Sequence, residues 1–363
     1  MKLLTEIDLD YIAVGASMLG SGGGGDPYIG KLMAKQAIKR YGPVKLISVE
    51  ELSDDDLVIP SAMMGAPAVM IEKLPNGNEP AFVFRSLESY LGKKATAVLP
   101  IEAGGLNSCI PIYTAASLNL PLVDADGMGR AFPELPMVTF SIAGVSATPM
   151  VLCDEKGNKI LLETINNDWT ETLARTATVA MGLSSMISIY CMKGKSVKKY
   201  GVKGTISLAR NIGEKIIESN KSKRNPIDAI LDLTNGFKLF EGKIVDVKRD
   251  LTTGFIRGKV TIEGLFSDRG SISTVDFQNE NLIVWKNGNP LAMTPDLITI
   301  IDGEKGFPIT TEHLKYGQRV VVIGMPCDSF WRTEAGLKQV GPRYFKYDVD
   351  YIPIEELVKG NKK

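Results

Sequence analysis

The chain has 363 residues, 44% hydrophobic and 23% charged, which is enough apolar material for a large core and too little charge for intrinsic disorder. Its 42 Lys and Arg balance 42 Asp and Glu, so there is no net field to hold a polyanion, which makes nucleic-acid binding a minority reading, and no nucleic-acid partner is expected. The longest apolar stretch, residues 57–71, is shorter than the ~18–20 residues of a spanning helix and contains Pro60, Gly65 and Pro67, which excludes a membrane segment.

Cysteines stand singly at 109, 153, 191 and 327. With no Cys pair at metal-binding spacing and no basic-then-apolar leader over Met1–Asp10, the expected location is a reducing cytoplasm. His313 is the one histidine, which removes His-rich metal sites; its place after Thr311-Glu312 reads as a cap of a short helix.

In chain order, Leu9–Leu19 has helical spacing and leads into the run Gly20-Ser21-Gly22-Gly23-Gly24-Gly25-Asp26-Pro27. Pro27 suits the first turn of a second helix capped by Asp26, with Ile29, Leu32, Met33 and Ala37 on one face and a stop at Gly42. Strands are expected at Val44–Val49, Leu57–Pro60, Thr96–Ile101 and Leu120–Asp124, with helices at Ala81–Leu91 and Leu106–Leu118 between them. This alternation implies a mainly parallel sheet covered on both faces. Met137–Ala143, Met150–Cys153 and Lys159–Thr164 read as further strands, the last two joined by the turn Asp154–Asn158.

Helices are expected at Asp168–Tyr190 and Val202–Asn220. Beyond Phe237 strands dominate, at Lys243–Val247, Gly258–Glu263, Leu282–Trp285, Ile298–Ile301 and Arg319–Ile323, with the turn Lys286-Asn287-Gly288-Asn289 among them. The fold class is therefore α/β plus β: residues 1–167 form an α/β domain, and 168–363 a β-rich C-terminal domain entered through two helices.

Three segments could carry chemistry. Gly22, Gly23, Gly24, Gly25 and Asp26 lie between two helices, unlike a dinucleotide fingerprint, which follows a strand, and lack the Lys-Ser/Thr of a phosphate loop. They suit close backbone approach to a carboxylate-bearing ligand at a helix N-terminus; the alternative is a turn that only packs two helices. Pro100–Ser108 sets Glu102 at a strand end before a Gly-Gly turn and Asn107, where open α/β sheets bind ligands. Asp124–Glu134 holds Asp124, Asp126 and Glu134 with Arg130. Carboxylates crowded near one arginine could divide into acid and base or hold a hard divalent metal; the alternative is an ion-pair network at a domain interface. Cys109 opens a helix but reads as a small buried hydrophobe.

Taken together, Gly20–Tyr28, Met64–Pro67, Glu72–Gly77, Pro100–Ser108, Val123–Leu135 and Val340–Tyr351 resemble the S-methyl thiohydantoin desulfurase-like family, associated with the hydantoinase/oxoprolinase group. The resemblance spans nearly the whole chain. It implies a Rossmann-like N-terminal domain and, as activity, hydrolysis of an S-methylated thiohydantoin to a hydantoin with release of methanethiol, in the breakdown of histidine-derived thiols. The chain departs from the family pattern at Lys346, where glycine is usual, and at Ser141-Ile142-Ala143, where a histidine often stands.

On that reading Asp124, Asp126 or Glu102 activates water, directly or through a divalent metal, and Asn107 is the polarising donor. Gly22–Gly25 and Arg130 grip the anionic tail of a small-molecule substrate, with Asp26 and Glu134 beside them. A homo-oligomer is expected. An accessory subunit that binds a hydantoinase/oxoprolinase-type protein is the other reading.

Overall fold

The computed structural model describes residues 2–66, 69, 73, 75–252 and 255–360, with the backbone alone at 251, 252, 255 and 256. Pro67, Glu72 and Leu74 of the quoted strings lie outside the described residues.

Among the described residues the first sheet has nine strands. Those before residue 170 are β1 (Lys2–Leu4), β2 (Val44–Ile47), β3 (Leu57–Gly65), β4 (Ala97–Pro100), β5 (Leu122–Val123), β7 (Met150–Cys153) and β8 (Lys159–Leu162). Residues beyond 167 add β9 (Ser184–Ser188) and β10 (Met192–Lys193), so the sheet draws strands from both sides of the 167/168 boundary. The order is β1-β2-β5-β4-β3-β9-β7-β8, with β10 also on β3, while β6 (Ala125–Asp126) and β11 (Val202–Lys203) pair separately.

Only the β2–β5, β5–β4 and β4–β3 pairs are parallel; β1, β7, β8, β9 and β10 all pair antiparallel. The sheet is therefore mixed, not mainly parallel as the sequence suggested. The cause is β9. Its residues read as the end of a long helix, yet the helix stops at Ala180, before Gly182 at φ 87°, and the five residues of β9 insert between β3 and β7. All five are buried, and in that slot ladder hydrogen bonds on both sides outweigh local helix preference.

Met137–Ala143 also differs from expectation. Only a short helix, Thr139–Ile142, forms there. The backbone closes on itself, Ala143 N–H to Thr139 C=O at 3.0 Å, while Met137, Val138, Thr139 and Phe140 are buried in succession, which a strand alternating between two faces does not require.

Alternation within the strands explains why both faces are covered. Leu46, Ile59, Val98, Leu122, Val151 and Met186 join one apolar cluster, and their neighbours Ile47, Val58, Leu99, Val123, Leu152 and Ile187 join the other. Among the described residues, the α-helices before the second sheet are α1 (Glu6–Leu19), α2 (Tyr28–Tyr41), α3 (Glu79–Leu91), α4 (Ile110–Leu118), α5 (Thr139–Ile142), α6 (Asn167–Ala180), α7 (Gly194–Tyr200), α8 (Thr205–Lys221) and α9 (Pro226–Thr234). α8 crosses α1 at backbone contact: a Cβ on Gly15 would sit 1.7 Å from the Ala209 oxygen, and one on Gly213 1.9 Å from the Tyr11 oxygen.

The second sheet is seven-stranded and antiparallel, ordered β16-β15-β14-β13-β12-β18-β17. Its strands are β12 (Phe237–Thr252), β13 (Phe255–Gly264), β14 (Ile272–Gln278), β15 (Glu280–Lys286), β16 (Asn289–Met293), β17 (Leu297–Asp302) and β18 (Arg319–Met325). The Asn287-Gly288 turn joins β15 to β16 with both residues at positive φ, the conformation a two-residue hairpin demands. Among the described residues no helix is long and apolar enough to cross a membrane.

Candidate active site

The glycine run is stitched to the second sheet through its backbone. Ser21 C=O accepts from Asn281 N–H at 2.7 Å, Gly22 C=O from Thr311 N–H at 2.8 Å, and the Met18 carbonyl from Thr299 Oγ1 at 2.8 Å. Gly24 C=O accepts from Leu106 N–H at 2.9 Å, which brings the glycine run onto the turn after Glu102. A Cβ on Gly23 would stand 2.1 Å from Glu280 Oε1, and one on Gly24, at φ 68°, 2.8 Å from the Gly104 carbonyl carbon. Only glycine lets these backbones meet.

The 128–135 loop is pinned from the other side. Trp331 Nε1 donates to the Met128 carbonyl at 2.6 Å, and the Trp331 and Phe132 rings meet edge to face at 5.0 Å. The Arg130 guanidinium lies 4.6 Å from the Phe132 ring centre.

These segments enclose a cavity of about 80 Å³ lined by Gly23, Gly24, Gly25, Met63, Glu102, Asn107, Phe132, Glu134, Arg175, Glu280 and Glu312, among others. Asn107 accepts from Met63 N–H at 2.6 Å, donates to the Met63 carbonyl at 3.0 Å and donates to Glu102 Oε1 at 2.6 Å. Glu102 Oε2 is buried without a partner, as is Glu280 Oε2. Burial, reinforced by the neighbouring Glu280 charge, pushes the Glu102 carboxyl up to about 8; burial likewise raises Glu280 to about 7, against the pull of the Arg130 charge. Glu134 is raised by burial and accepts from Tyr344 Oη at 2.6 Å.

Of the residues singled out in the sequence, Gly23, Gly24, Gly25, Glu102, Asn107 and Glu134 thus share one cavity. Gly22, Asp26, Asp124, Asp126 and Arg130 are not among its lining residues. Asp26 Oδ1 accepts from Tyr28 N–H at 2.9 Å at the start of α2. Asp124 caps α8, accepting from the Ile206 and Ser207 amides, each at 3.0 Å, and from Ser207 Oγ at 2.6 Å. Asp126 is fully buried, accepts from the Met128 and Gly129 amides, and is raised by burial to about 7. Arg130, also fully buried, donates to the carbonyls of Ala131, Pro295, Asp296 and Asn281. Cys109 is buried, its thiol pushed up to about 12, and exposed His313 contacts Thr310 Oγ1 at 3.1 Å beside its short helical turn.

Glu280 escaped the sequence reading because it belongs to the other sheet, 178 residues after Glu102. A signal existed in the polar run Gln278-Asn279-Glu280-Asn281, which interrupts apolar strands and turns at Asn279 with φ 56°. Among the described residues no group of three or more His, Cys, Asp or Glu is placed to hold a metal ion.

The fold is a mixed α/β sheet joined to an antiparallel sheet, with Glu102 from the loop after β4 and Glu280 from β15 at one cavity. The chain belongs to the S-Me-THD-like family: residues 7–164 match the model of its N-terminal domain and residues 165–354 that of its C-terminal domain. The crystal structure of a protein from Chromobacterium violaceum is similar over 98% of this chain and 100% of that one, with 26% identity and a TM-score of 0.82. Among curated proteins no match was found. Lys346 stands at φ 68°, a conformation that suits glycine.

Proposed function

We propose that this chain is a hydrolase of hydantoin-like five-membered rings, acting on an S-methyl thiohydantoin as the family description suggests. The observation that carries the reading is the pair Glu102 and Glu280: two buried carboxyls from different sheets, each with one unpartnered oxygen and each raised toward neutrality, at a single cavity.

Replacing the methylthio group needs water to add at the ring carbon between two nitrogens. Glu280, the lower of the two, takes a proton from that water as its oxygen bonds to the carbon, while Glu102 gives its proton to the ring nitrogen. The tetrahedral adduct then collapses. Its hydroxyl proton passes to Glu102, the C–S bond breaks, and the departing sulfur takes the proton held by Glu280. The products are the hydantoin and methanethiol, and both carboxyls return to their starting states. Asn107 fixes Glu102, and Arg175 supplies positive charge for an anionic tail at the cavity wall, where Glu171 and the Pro133 carbonyl already orient it.

The test is methanethiol release from S-methyl thiohydantoin propionate by the purified chain. Turnover that Glu102→Gln and Glu280→Gln each abolish supports the proposal; no turnover, or turnover indifferent to both changes, rejects it.

A further inference from the structure

Among the described residues the first sheet ends at β8, which pairs only with β7. The register sets Ile160 opposite Leu152 and Leu162 opposite Met150, and the turn preceding them is closed by Asp154 N–H to Asn158 C=O at 3.1 Å. In an antiparallel ladder the residues exchanging bonds alternate, so 158, 160 and 162 turn their amides toward β7 while 159, 161 and 163 turn theirs outward. Lys159, Leu161 and Glu163 are also the exposed side chains of this stretch, whereas Ile160 and Leu162 pack on the core. Proline, a bulge and an inward charge are lacking along 159–163; the edge is short, and its exposed charges are Lys159 and Glu163.

We propose that this edge is the interface through which the chain pairs with a second copy of itself, β8 against β8 around a two-fold axis at Leu161. The sequence is complementary to itself in that register alone: with Leu161 opposite Leu161, Lys159 of each copy lies across from Glu163 of the other, opposite charges at directly paired positions. The outward amides of 159, 161 and 163 meet their equivalents in the bonding phase, extending the sheet through both copies. The flanks suit a protein partner as well. On one side of the edge, Phe82 and Tyr90 of α3, 42% and 48% exposed, already touch its charges: Lys159 Nζ lies 5.2 Å from the Phe82 ring centre and Tyr90 Oη donates to Glu163 Oε1 at 2.7 Å; α6, tied to the end of this stretch by the Thr164–Thr170 hydroxyl contact at 2.7 Å, carries Trp169 and Leu173, 49% and 42% exposed. The exposed α6 face that carries them continues through Thr172, Thr176 and Val179 without a charge.

Sedimentation velocity of the full chain between about 1 and about 100 µM tests this. The expected result is a dimer, weakened about tenfold or more by Lys159→Glu or by Glu163→Lys, each of which faces like charges, and restored when both changes are combined. A monomer throughout the range, or single variants that dimerise as well as the parent, overturns the proposal, as does a double variant that fails to recover. Should a charge variant not fold, Leu161→Cys provides the second reading. A short bis-maleimide should link two copies through position 161, and a failure to link them refutes the register.

Discussion

Asn107 donates from Nδ2 to Glu102 Oε1 at 2.6 Å, and its remaining two hydrogen bonds clamp it to the Met63 backbone on β3. One amide side chain thereby ties the loop after β4 to the neighbouring strand and leaves Glu102 Oε2 as the oxygen without a partner. Glu102→Gln preserves volume and, at neutral pH, replaces a carboxyl that is already protonated. We expect turnover to fall by about two orders of magnitude or more with the melting temperature nearly unchanged, measured by methanethiol release beside calorimetry.

Stability should fall as pH rises from about 4.5 to about 8. Glu102 and Glu280 keep their protons in the folded chain to about 8 and about 7, whereas in the unfolded chain a glutamate ionises near ~4.3. Across that window the folded state holds more protons than the unfolded one, so each group lowers stability by up to about 1.4 kcal/mol per pH unit, and the contribution is fully present only below the unfolded value. Urea midpoints for the Glu102→Gln, Glu280→Gln double variant should show a shallower pH slope than the parent. Asp126, raised to about 7, maintains part of the slope.

Gly23→Ala tests the close approach of the glycine run to the second sheet. Its new methyl would have to displace Glu280 Oε1 from 2.1 Å, at a backbone position without positive φ, so the effect falls on the carboxyl and not on loop strain. Turnover should drop about tenfold or more while the circular dichroism spectrum stays that of the parent.

Asp124 and Arg130 should register as stability residues. Asp124→Ala removes the cap of α8 and three hydrogen bonds, at a cost of about 2 kcal/mol, with turnover of the folded fraction close to that of the parent. Arg130→Met strands carbonyls from residues 131, 281, 295 and 296 and should cost about 3–5 kcal/mol, seen as a lower urea midpoint.

Cys109→Ala should leave turnover intact. The thiol is buried and pushed up to about 12, so almost no thiolate is present at neutral pH, and the loss is a small cavity. A dead Cys109→Ala that remains folded would replace the carboxyl mechanism with a covalent one.

The sequence by itself determined what local chemistry and periodicity control. Helix α2 beginning after Pro27 and ending at Gly42, strand β4, the Asp154–Asn158 hairpin, the Asn287-Gly288 turn and the β-rich second half all follow from residues within a few positions of one another. The family was equally legible, because its motifs are contiguous strings. Only the tertiary structure decided the rest. Gly182 is a local stop for the preceding helix, but Ser184–Ser188 becomes a central strand because β3 and β7 present ladders on both sides of it. Asp124 and Arg130 stand beside Asp126 in one acidic-looking loop, yet one caps a helix more than eighty residues later and the other satisfies carbonyls of the second sheet. Glu280 joins Glu102 for the same reason in reverse: burial and partners, which set a carboxyl's charge, are properties of the neighbourhood the chain folds into and not of the residues beside it in sequence.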